Sequence, residues 1–241
     1  AFAGVLAVVC LPFLAAPAPA SRPWIAGSAV LQIAYFVLVA QAYRRADMSL
    51  AYPVMRGAAP LLVTVAAAVW LGETPSALGW AGVAAISLGI ASLALAGRRG
   101  GERRGLQFAL LNAGVIAAYT LVDGIGVRLS GAPAAYTLWS SLLTAPPLVA
   151  WMMIRRGRAI VAPALAAAPA AALGGIATVT AYGLALWAMT QAPIGVIAAL
   201  RETSILFGLA IAGLVFGERI DGRRLIAAAL VMVGTVALRL A

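Results

Sequence analysis

Histidine and lysine are both missing from this 241-residue chain, cysteine occurs once, and the acids number only seven. Without histidine there is no imidazole proton relay and no imidazole metal ligand. The lone Cys10 permits neither an internal disulfide nor a cysteine metal cluster. Seven scattered acids and no histidine also argue against a membrane-embedded phosphatase or acyltransferase, which needs an acid/base set beside a phosphate site. GIGVR at 124–128 follows no strand, so it is not a dinucleotide loop. No catalytic residue, cofactor or metal is expected.

What the chain has instead is apolar residues, 64% of its length. A soluble domain of this size could not hide so much apolar surface, so a lipid bilayer must be its solvent. Runs able to form spanning helices lie at 1–15, 24–43, 49–71, 78–96, 106–127, 134–154, 165–189, 193–216 and 223–241. The short gaps between them leave no room for a soluble domain. The expected fold is all-α, a polytopic membrane bundle of nine visible helices. The first run is too short to cross, which leads to the expectation that residues precede position 1. Read instead as a signal peptide, this opening lacks the basic leader such peptides carry.

The net charge of +10 comes entirely from arginine. In a soluble protein it would suggest nucleic acid, but here the arginines occupy short gaps between apolar runs, the positive-inside pattern. Arg44, Arg45, Arg98, Arg99, Arg103, Arg104, Arg155, Arg156, Arg158, Arg219, Arg223 and Arg224 fall on one side, against Arg22, Arg128 and Arg239 on the other. The richer side is expected to be cytoplasmic, with residue 1 inside and residue 241 outside.

The two halves also resemble each other. Arg56, Leu61, Gly72-Glu73, Ala84, Gly89 and Leu93 recur 145 residues later as Arg201, Leu206, Gly217-Glu218, Ala229, Gly234 and Leu238, and Ala34-Tyr35 returns as Ala181-Tyr182. The second repeat holds five helices and the first shows four, its first helix being absent. Five is odd, so the second repeat must enter the membrane from the opposite side, giving inverted repeats. The repeats divide the chain at 1–96 and 97–241.

AYPVMRGAAPLLVTVAAAVWLGE at 51–73, followed by Gly89, and its echo GVIAALRETSILFGLAIAGLVFGE at 195–218, followed by Gly234, resemble the drug/metabolite transporter superfamily of the EamA type. The resemblance covers essentially the whole chain and names no substrate. It implies ten helices in two inverted five-helix repeats, both termini cytoplasmic. The arginine count, with a first helix restored, places both outside instead.

Charges inside a bilayer helix cost on the order of 3 kcal/mol, so they usually face a cavity or a partner. Arg56 and Arg201 both lie deep in their runs at the same repeat position. Arg56 also sits between Pro53 and Pro60, which free backbone carbonyls and suit a helix lining a cavity. The alternative is that each arginine snorkels to its nearer interface. Facing a pocket, the Arg56 guanidinium could hold a carboxylate or a phosphonate-like group bidentately.

Asp123 is expected either to neutralise Arg201 or to couple protons. Glu202, pointing about 100° away from Arg201 around the helix, is a second candidate for coupling or charge pairing. The first repeat offers no comparable acid to Arg56. Tyr35, Tyr182, Tyr52 and Tyr119 are candidate pocket residues, while Glu73 and Glu218 read as loop anchors.

The function expected is a secondary transporter of a small polar metabolite or drug-like compound in a bacterial-type inner membrane, working by alternating access. No nucleotide loop is present, so proton coupling or facilitation would drive it. Its partners are the lipid bilayer and the transported small molecule, without nucleic acid. The alternative is a non-transporting scaffold or accessory subunit. The orientation is testable: in a Cys10→Ser background, cysteines replacing Gly101 and Ala132 should label from the inside and the outside respectively, and the opposite pattern overturns it.

Overall fold

The computed structural model describes residues 2–46, 48–96, 103–214 and 222–241. These residues form helices α1 (Phe2–Cys10), α2 (Arg22–Tyr43), α3 (Met48–Leu71), α4 (Ala77–Ala96), α5 (Arg103–Ser130), α6 (Pro133–Arg156), α7 (Val161–Ala166), α8 (Ala168–Met189), α9 (Ile194–Leu200), α10 (Ser204–Leu214) and α11 (Gly222–Leu240), with no strand among them. Asp47, most of the basic linker at 97–105 and the Gly217-Glu218 pair lie outside the described residues.

Each apolar run is helical, but not each is one helix. The first ends at Cys10, where Pro12 falls in a 3₁₀ turn, Leu11–Phe13. The run at 193–216 is broken by another, Arg201–Thr203, between α9 and α10. Among the described residues five stretches are long and apolar enough to cross a membrane: Pro19–Tyr43, Ala51–Leu71, Arg103–Ser130, Pro133–Arg156 and Ala168–Met189. Large apolar side chains point outward along the helices, among them Trp70 (76% exposed), Ile154 (82%) and Leu214 (87%). In water such surface would drive aggregation; in acyl chains it is solvated.

The chain folds as two compact units, Ala1–Ile33 with Val122–Gln191, and Ala34–Leu121 with Ala192–Ala241. The first unit takes one piece from either side of the 96/97 division and the second has a piece that crosses it, so neither is a repeat by itself.

In the first unit α1 packs on α6 and α8. The hairpin between α5 and α6 is tight: Gly131 adopts a left-handed φ of 64°, open to glycine at little cost. The backbone N–H of Ala132 donates to Ser130 Oγ at 3.1 Å.

In the second unit α4 lies between α3 and α11, over a core of Val83, Ile86, Ile90, Ala199, Val231 and Leu238. The α4–α11 contact is made of glycines. A Cβ on Gly234 would meet Gly82 O at 2.6 Å and Ile86 Cγ1 at 2.7 Å, and one on Gly89 would meet Ala227 O at 3.0 Å and Val231 Cγ2 at 3.4 Å. Partner numbers fall on one helix as they rise on the other, so the helices run antiparallel. Under the 145-residue register these pairs exchange: Gly82 corresponds to Ala227, Ile86 to Val231 and Gly89 to Gly234. The same contact is thus made twice.

Replacing helical glycine by alanine ordinarily stabilises a helix. Here Gly234→Ala should instead lower stability in detergent by about 1–3 kcal/mol, the usual cost of overpacking, read as a lower melting temperature. An unchanged or higher value contradicts the close crossing.

Candidate functional site

The second unit gathers most of the candidate residues. Arg56, on α3, remains helical between Pro53 and Pro60. Pro60 has no N–H to give the Arg56 carbonyl, so the residue that carries the buried cation also has a carbonyl released from the helical ladder. Thr64 Oγ1 donates to Pro60 O at 2.8 Å, one turn further on.

Two contacts bring the second repeat to this spot. Glu73, just past the end of α3, accepts a hydrogen bond through Oε2 from the backbone N–H of Ile194 at 2.8 Å. A carboxylate at the start of a helix satisfies an amide left without an intrahelical partner, so Glu73 anchors a helix start, as the loop-anchor reading expects. One residue on, α9 crosses α3 where a Cβ on Gly195 would come within 2.6 Å of Thr64 Oγ1. From this crossing, eight residues back along α3 is Arg56 and seven forward along the chain is Glu202. Both steps are about two helical turns.

The result is an ion pair, Arg56 Nε to Glu202 Oε2 at 2.9 Å, with the Glu202 side chain only 6% exposed and that of Arg56 22%. Its angle is off line, and neither atom is in a hydrogen bond. The first repeat was expected to offer Arg56 no comparable acid; the acid it meets, Glu202, comes from the other repeat.

Arg56, Arg201, Glu202 and Tyr119 line one recess with Pro60 and Thr120 among its other walls. Tyr35 meets Tyr119 edge-on, ring centroids 5.8 Å apart. Tyr52, one turn before Arg56, is exposed and outside that lining. The recess has a volume of about 10 Å³, on the order of a single water.

Asp123 and Tyr182 fall in the first unit. Asp123 is fully buried. Its Oδ1 accepts a hydrogen bond from Tyr136 OH at 2.9 Å, and its Oδ2 accepts one from Tyr182 OH. Tyr136 reaches across Gly126, where a Cβ would meet its Cε2 at 2.8 Å. The repeat-related Tyr35 and Tyr182 therefore do different things: one packs on an aromatic ring, the other binds a carboxylate. Nearby, Gln32 Nε2 donates to Ser28 Oγ at 2.8 Å and to Ser140 Oγ at 2.9 Å.

Sequence reasoning missed Tyr136. The signal was present: Asp123 lies seven residues before the end of α5 and Tyr136 three after the start of α6, so a two-residue hairpin brings them face to face. Among the described residues no three acids or cysteines gather as a metal site.

Residues 103–240 match the EamA-like transporter family. Residues 1–86 match Small Multidrug Resistance protein. A solved crystal structure superposes with a TM-score of 0.76 at 19% identity, covering 99% of this chain and 84% of that one, a likeness of fold alone. Among curated proteins none matches.

Removing one hydrogen bond to a buried carboxylate costs about 1.5–3 kcal/mol. Tyr136→Phe and Tyr182→Phe should each lower the melting temperature, and the double variant should lose less than the two losses summed, because each removal unsettles the same carboxylate. Strict additivity, or no loss, contradicts the shared clamp.

Proposed function

Because this chain belongs to the EamA-like transporter family, a family of membrane transporters for small compounds, we propose that it is a secondary transporter moving a small polar metabolite or drug-like compound by alternating access. Its setting in this reading is a bacterial-type inner membrane. The observation that carries it is the recess in which Arg56 from one repeat and Arg201 and Glu202 from the other come together. Charge buried at this expense is kept where it meets a ligand or a pathway.

Inverted repeats over 1–96 and 97–241 are supported by the antiparallel α4–α11 contact whose partners exchange under the 145-residue shift. Two structurally equivalent halves of opposite sense can swap roles, exposing a site at their junction first to one side and then to the other. The recess, of about 10 Å³ here, would have to widen to admit a substrate. Arg56 and Arg201 bind the substrate, with Tyr119 and Tyr35 as an aromatic wall, Tyr52 at the approach to Arg56, and Tyr182 holding Asp123. Asp123 and Glu202 are the two carboxylates able to carry a coupled proton.

Arg56→Ala and Arg201→Ala should each abolish substrate flux in proteoliposomes while the protein still inserts in the membrane. Normal flux in both variants removes these residues from the site.

A further inference from the structure

The two repeats are not equivalent at their centre. Arg56-Gly57 in the first corresponds to Arg201-Glu202 in the second. Gly57 lies flat on α4: a Cβ there would meet Ser87 O and Ala91 N, both at 3.0 Å. Glutamate cannot adopt that packing. At its position the helix tightens into the 3₁₀ turn Arg201–Thr203, and the side chain crosses to Arg56. Gly57, the repeat-related position in the first half, carries no carboxylate.

We propose that Glu202 is an internal stand-in for the anionic group of the substrate. An organic anion, a carboxylate or phosphonate, takes its place on Arg56, and the displaced Glu202 takes up one proton from the side the anion enters. This rests on the transport reading above and specifies its ligand and coupling.

Three observations carry it. The recess has no room for a second anion while Glu202 is in it, since its volume is about 10 Å³. The present pairing is poorly aligned, with Nε and Oε2 making no hydrogen bond, whereas a free carboxylate can dock on a guanidinium in line and bidentately. Finally, a carboxylate this buried that loses its cation is far costlier than a protonated one. The exchange balances: anion plus proton enter, Glu202 becomes neutral, and the recess carries the same total charge as before.

The groups facing Glu202 are consistent with this. Arg56 on α3 and Arg201 beside it are the two cations that line the recess with it. Tyr119 on α5 also lines the recess, with Tyr35 on α2 behind it and Tyr52 on α3 nearby. α4 and α10 carry no titratable side chain, and on α11 only Arg223, Arg224 and Arg239, near its ends, are charged.

The test uses the purified full chain in detergent, with acetate, benzoate and methylphosphonate as probes and a permanent cation, tetramethylammonium, as control. Binding is measured by calorimetry, and proton uptake by pH change in weak buffer. Wild type should take up one proton per bound anion. Glu202→Gln should take up none and bind roughly tenfold tighter, as expected when a competitor holding the site most of the time is removed. Glu202→Asp, one methylene shorter, should also bind more tightly yet keep the proton uptake.

Equal affinity and equal proton uptake in wild type and Glu202→Gln overturn the proposal. So does binding of tetramethylammonium but none of the anions, although the transporter reading then stands. Failure of every probe to bind, together with no flux of any compound in proteoliposomes, removes both.

Discussion

The arrangement depends on a carboxylate and two guanidinium groups held where water is scarce. Burying charge is costly, and Arg56 and Glu202 meet as an ion pair at 2.9 Å in which Nε and Oε2 make no hydrogen bond. A pair of well-packed apolar residues would serve stability at least as well. Charges retained under these terms are best explained by what they bind, and a site that must accept and release a polar molecule needs partners that are held but not saturated.

The pair exists because of backbone contacts some distance away. Glu73 fixes the start of α9 beside the end of α3, and the meeting of Gly195 with Thr64 sets how far one helix is slid along the other. Two turns from that crossing, Arg56 and Glu202 come level. The α4–α11 glycine contact, repeated with its partners exchanged, braces both helices from the far side. The break at Arg201–Thr203 then leaves the carboxylate on a short turn rather than in a rigid helix, which suits a side chain that must move.

Much of this was legible in the sequence because hydropathy and helix length are local. The run at 24–43 became Arg22–Tyr43, and that at 134–154 became Pro133–Arg156. The depth of Arg56 and Arg201 and their shared repeat position were also visible, and both line one recess. What escaped were contacts between segments far apart in the chain. Spacing along one helix could say nothing of α3, so the partner of Arg56 was sought in its own repeat. Asp123 was weighed as a counter-ion for Arg201 or a proton carrier before its clamp by Tyr136 and Tyr182 could be seen. The helix break at 201–203 escaped too: Arg201-Glu202-Thr203 interrupts the apolar run there, but polar residues alone do not say whether the backbone tightens.

The central claim is that the buried charges face a space which water reaches from each side of the membrane in turn. Ala198 lines the recess and is 7% exposed, so a cysteine there, in the Cys10→Ser background, reports on that space directly. Its reaction with a small membrane-impermeant thiosulfonate, applied to oriented vesicles from one side and then from the other, is the most direct measurement. The account predicts labelling from both sides, slowed by bound substrate. Labelling from neither side, with reaction only to a lipid-soluble maleimide, would mean that the charges serve the fold and not transport.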